Sequence, residues 1–126
     1  MKKLLLIALL FVSFTINAQQ KETFTRTYKS YNTKEDGVIM GLQKTDLLVV
    51  FNEKETNYIC LYYASGKTVK YKPYGKVEER TTNGGEKTQL ISAIDISSGN
   101  DVLIQLFDSQ TLRIIVGEGW FIEFYE

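Results

Sequence analysis

The densest group of chemically capable side chains lies between residues 67 and 76. There Lys67, Lys70, Tyr71, Lys72, Tyr74 and Lys76 surround Pro73. On an extended strand Lys70, Lys72, Tyr74 and Lys76 fall on one face, with Val69, Tyr71 and Val77 on the other. Cations interleaved with aromatic rings make a surface for an anionic ligand or a glycan. The same residues also have a plainer use, as guards of an edge strand. Lysine discourages edge-to-edge pairing and proline cannot donate to a central ladder, so edge protection is the preferred reading. Tyr58 and Tyr62 form a second group, sharing a strand face with Cys60 and opposed by Ile59, Leu61 and Tyr63. Tyrosine is a rigid, amphipathic pocket liner, although ordinary strand packing uses it as freely. The candidate ligand contacts are therefore Tyr58, Tyr62, Tyr71, Tyr74, Lys70, Lys72 and Lys76. Cys60 has no cation or helix N-terminus beside it in the chain to lower its pKa, so a buried, inert thiol is expected.

Catalytic alternatives are few. Histidine is absent, which excludes Ser-His-Asp triads, Cys-His dyads and His-ligated metals. Paired carboxylates could run glycoside hydrolysis without imidazole. Of Asp95, Asp101, Asp108, Glu118 and Glu123, only Asp95 and Glu123 lie inside apolar runs; the others sit in turns, where acids serve turn chemistry. The stretch Asp95-x-Ser97-x-Gly99-x-Asp101 has a faint likeness to a calcium loop but lacks the distal bidentate glutamate. Asn83-Gly84-Gly85 is not followed by a helix that could cradle a phosphate. No cofactor or metal is expected, and no segment carries the motif residues of a known family.

These side chains need elements to hold them. Runs rich in Val, Ile, Tyr, Phe and Thr occupy residues 47–52, 57–63, 67–72, 87–97, 102–107, 111–116 and 120–125, and such residues suit a pleated surface. Turn signals such as Ala64-Ser65-Gly66-Lys67, Thr82-Asn83-Gly84-Gly85-Glu86 and Ser97-Ser98-Gly99-Asn100-Asp101 separate them. A short strand is also expected near 37–42. Phe24, Tyr28 and Tyr31 have helical spacing, but the interleaved Thr23, Thr25 and Thr27 disfavour a helix and point to a strand. The spacing predicts an all-β fold, an antiparallel meander of about eight to ten short strands. A closed barrel or barrel-like roll removes the exposed edges of such a meander and is preferred; a two-sheet sandwich is the alternative. In the last three strands one face is fully apolar and the other mixed, which predicts at least partial cover on both sides. Leu112, Ile114, Val116, Trp120, Ile122 and Phe124 are expected to share one buried face.

Met1-Lys2-Lys3, the apolar stretch 4–16 and Ala18 have the layout of a secretory signal peptide over residues 1–18. Its apolar core falls short of the roughly 20 residues that a spanning helix needs. Residues 19–126 are then a single all-β domain. Lys+Arg and Asp+Glu number 15 each in the whole chain; loss of Lys2 and Lys3 leaves a slightly acidic domain, which disfavours nucleic acid as a partner. One cysteine cannot form a disulfide within its own chain. The expected role is an exported, non-enzymatic binding module of the bacterial periplasm or exterior, taking an unknown small ligand or an envelope protein. No membrane span is expected after cleavage, and the chain is expected to be monomeric or weakly self-associating. The alternatives are an assembly module acting by strand-edge pairing and, last, a carboxylate-based hydrolase.

Overall fold

Alternating apolar positions wind the chain into ten strands and no helix in the computed structural model, which describes residues 22–126. The expected export signal, and the start of the domain at residue 19, lie outside the described residues. The strands are β1 (Phe24–Glu35), β2 (Val38–Ile39), β3 (Gln43–Phe51), β4 (Ile59–Tyr63), β5 (Thr68–Pro73), β6 (Glu78–Thr81), β7 (Lys87–Asp95), β8 (Asp101–Phe107), β9 (Leu112–Gly117) and β10 (Trp120–Tyr125). Eight of them close an antiparallel barrel in the order β1, β3, β4, β5, β7, β8, β9, β10, with β10 returning to β1; β2 and β6 are additions. Among the described residues no helix is long and apolar enough to cross a membrane.

The barrel is filled. Tyr28, Leu47, Val49, Phe51, Ile59, Leu61, Tyr71, Ala93, Val102, Ile104, Leu112, Ile114 and Phe124 form one buried cluster. Each of the eight barrel strands supplies alternate residues, so the period of two places one set inside and the other on the outer wall. Phe24, Tyr28 and Tyr31 show why the start of the chain looked ambiguous. All three pack on the core, although they are four and three residues apart. The register of β1 against β3 shifts between Tyr28 and Ser30, and such an irregularity resets the alternation. Tyr31 can then pair inward with Phe124, their ring centroids 6.1 Å apart.

Two expectations need correction. First, β5 is no edge strand: it pairs with β4 on one side and β7 on the other. Pro73 is tolerated because the ladder with β7 uses the backbone of its neighbour, Tyr74 N donating to Ser92 O at 2.9 Å. Pro73 itself turns toward β4, two residues past the last pair, Ile59 with Tyr71, where no ladder donor is needed. Second, the buried face of β9 and β10 stops short of their turn. Leu112, Ile114 and Phe124 are fully buried, but Val116 is 50% and Trp120 39% exposed. The outer wall of β8–β10 is covered in part: Gln105, Phe107, Ile115 and Phe121 are half-buried. Leu103 pairs with Ile115 and Ile115 with Phe121 in one outward row, and Leu103 remains well exposed.

Candidate functional site

The sheet wall is interrupted at one place, and the interruption makes the site. The last three residues of β7 pair with β5, while Thr88, Gln89 and Leu90, together with Lys87, pair with β6. Between these partners the chain leaves the sheet through Pro73, Tyr74 and Gly75, the glycine holding φ +72°, a conformation that costs other residues strain. Because among the described residues β6 pairs with β7 alone, the wall between β4 and β6 stays open at the barrel end where β1 starts and β3 finishes.

A basin of about 490 Å³ opens there. Its walls are Phe24, Phe51, Ile59, Pro73, Val77, Ile91 and Leu106, with Glu22, Asn52 and Gln89 as polar members. Phe51 and Ile59 are buried core residues, so the basin floor is the top of the filled interior. Phe24 stacks on Phe51 with centroids 4.6 Å apart and planes within 7°. The guanidinium of Arg26 lies over the Phe24 ring at 5.2 Å. Among the described residues its Nε is buried and has no hydrogen-bond partner, a donor whose desolvation costs about 1–3 kcal/mol if nothing accepts from it. The volume and the apolar, aromatic lining are those of a small-molecule site.

None of the seven candidate contacts lines this basin. Tyr71 points into the core and is buried. Lys70 and Lys72 lie on the outer wall of β5 and are exposed, as is Lys76 in the connection to β6. Tyr74 is exposed too, and its hydroxyl donates to Asp101 Oδ1 at 2.9 Å. Tyr62 is on the outer face of β4, where its hydroxyl donates to Glu53 Oε2 at 2.5 Å. Tyr58 precedes β4 and is half-buried. The basin residues went unmarked in the sequence because each is one apolar residue at a strand end. An antiparallel meander gathers the start of β1, the end of β3, the start of β4 and the end of β8 at one pole. The one available signal was Pro73-Tyr74-Gly75, a break between two stretches that share β7.

Cys60 is fully buried beneath the carboxylate of Glu53. Burial first, and the hydrogen bond to Glu53 second, push its thiol up to about 11. At pH 8 only about one thiol in a thousand is then thiolate, the reactive form. Native Cys60 should therefore react with a disulfide reagent at least about a hundredfold more slowly than the unfolded chain, the rate rising about tenfold per pH unit from 8 to 10. Equal native and unfolded rates in a stopped-flow assay would contradict this burial.

The carboxylates do not assemble. Glu123 is on the outer wall, ion-paired to Arg113 at 2.6 Å and accepting from the Tyr125 hydroxyl at 2.7 Å. Arg113 is in turn flanked by the rings of Phe107 and Phe121 at 5.2 and 4.6 Å. Asp95 lies opposite inward-facing Tyr71 and accepts from Ser97 N at 2.9 Å. The wall of the barrel thus separates the two acids. The stretch 95–101 is a hydrogen-bonded turn, Gly99 N donating to Asp95 O at 2.7 Å. Among the described residues no group of three His, Cys, Asp or Glu side chains could hold a metal ion.

Comparison of the chain with protein-family models, with curated proteins and with solved structures found no match.

Proposed function

We propose that the chain is an exported, non-enzymatic binding barrel of the bacterial periplasm or exterior, whose open pole takes a compact apolar or aromatic group. The observation that carries this reading is the basin of about 490 Å³ over Phe51 and Ile59. The barrel interior itself is filled, so a ligand sits on the core and not within it. Apolar walls supply affinity through area removed from water. Export is supported by the signal-like first 18 residues, and a non-catalytic role by the missing histidine and the separated acids.

Fluorescence titration tests the reading with two probes, neutral N-phenylnaphthylamine and anionic anilinonaphthalene sulfonate. Both should bind, since the walls that hold them are apolar. Val77 is 40% exposed in the connection before β6, so Val77→Asp should leave folding intact within about 0.5 kcal/mol. It should nevertheless weaken both probes about fivefold or more, since it places a charge in an apolar wall. Absence of binding, or binding indifferent to Val77→Asp, would overturn the proposal.

A further inference from the structure

At the opposite pole the hairpin of β1 and β2 carries a run of apolar side chains into solvent. Val38, Ile39, Met40 and Leu42 are 56–68% exposed. Val116 and Trp120, on the neighbouring β9–β10 hairpin, extend the patch. The two hairpins are tied together: Gly37 N donates to Gly119 O at 3.3 Å, and Trp120 Nε1 donates to Asp36 Oδ1 at 2.9 Å. The patch is thus held ready in the folded chain. Two strands pair on one side only, and they are treated differently. β6 carries Glu78, Glu79 and Arg80, the charged guard of a protected edge. β2 has only Val38 and Ile39, pairs with β1 alone among the described residues, and bears no guard. Edge protection, expected at the lysines of β5, belongs to β6.

We propose that this hairpin is an interface between two copies of the chain, docked antiparallel about a two-fold axis near Met40. The sequence from 36 to 44 runs from an acid, Asp36, through uncharged 37–43 to a base, Lys44. Antiparallel docking on a copy of itself sets Val38 against the partner's Leu42, and Asp36 against the partner's Lys44. Apolar groups then meet apolar groups and opposite charges meet at both ends, the self-complementarity that a two-fold interface requires. A lipid surface would gain nothing from this polarity, because Glu35, Asp36 and Glu118 surround the tip. The irregular stretch 40–42 interrupts any long shared ladder. Contact is therefore by side chains, with the open edge of β2 beside them. Six large apolar side chains, each 39–68% exposed, make up the patch on each copy, enough for an interface at the small end of the specific range. A weak dimer, whose population depends on concentration, is expected. The inference does not depend on the basin, which lies at the other pole.

Sedimentation velocity of the exported chain from 1 to 500 µM gives the test. The wild type should pass reversibly from monomer to dimer across this range. Met40→Glu sets like charges together at the axis and should weaken the dimer about tenfold or more. Lys44→Glu should weaken it less, with the difference from wild type shrinking at high salt. Circular dichroism and melting temperature should be unchanged in both variants, since the altered residues are exposed. A monomer at every concentration would overturn the proposal, as would a dimer indifferent to Met40→Glu. Flotation of a monomeric wild type with phosphatidylcholine vesicles, lost in Met40→Glu, would assign the patch to lipid and likewise overturn it.

Discussion

Replacing Phe124 with alanine should cost the fold about 3–5 kcal/mol, the range for emptying a fully buried aromatic site. Phe124 is 1% exposed and lies between two other rings, Tyr28 at 6.0 Å and Tyr31 at 6.1 Å. It is also where the barrel closes, because Phe124 pairs with Tyr31 of β1 on one side and Leu112 of β9 on the other. The surrounding strands are fixed by their ladders and can collapse only partly into the vacated space, so a cavity term adds to the lost transfer energy. A domain of this size has about 5–15 kcal/mol in total, and urea denaturation should show a large fall in midpoint. Trp120→Ala is the control on the same strand face. Trp120 is 39% exposed and anchored mainly by its bond to Asp36, so its loss should cost only about 1 kcal/mol. Equal losses for the two variants would mean that the inner face of β10 continues into its turn.

The contrast between these two residues shows what alternation can and cannot tell. Period two correctly put Leu112, Ile114 and Phe124 on one inner face. It carries no information on where along its axis a barrel ends, so Val116 and Trp120 were assigned to the same buried face. β6 was invisible for a related reason. Glu78, Glu79, Arg80 and Thr81 are exposed throughout, and a strand with no buried face leaves no apolar alternation. The lysines and Pro73 were legible as an edge signal, but their position next to Tyr74 and Gly75 marks a departure from the sheet instead. The basin depends on that departure. Phe24, Phe51, Ile59 and Leu106 meet there only through closure of the barrel, a property of the whole chain and of no local segment. All-β class and barrel closure were legible because turn signals recur at meander spacing across the entire domain.

Alkaline solution should unfold the barrel steeply, and the tyrosines set the sign. Burial raises the phenols of Tyr28 and Tyr71 well above the usual range near 10. In the unfolded chain both ionise at about pH 10; in the folded chain both stay protonated beyond it. The folded state therefore binds more protons than the unfolded one above that pH. Their contribution is fully present below about pH 10 and is lost as pH rises toward the folded values. Each group should remove about 1.4 kcal/mol per pH unit, so the pair should remove nearly 3. A fold of ordinary stability should then fail within about two to four units above pH 10. Tyr28→Phe separates the effects. The hydroxyl donates to Gln110 O at 2.7 Å, joining the first half of β1 to the β8–β9 turn, where β10 does not reach: its register on β1 begins at Ser30. Loss of that bond should cost about 1–2 kcal/mol at neutral pH. Above pH 10 the variant should lose stability less steeply than the wild type, by up to about 1.4 kcal/mol per pH unit, because one buried phenol is gone. Urea midpoints between pH 8 and 11 measure both quantities. A slope unchanged by Tyr28→Phe would show that Tyr28 ionises in the folded chain as freely as in water.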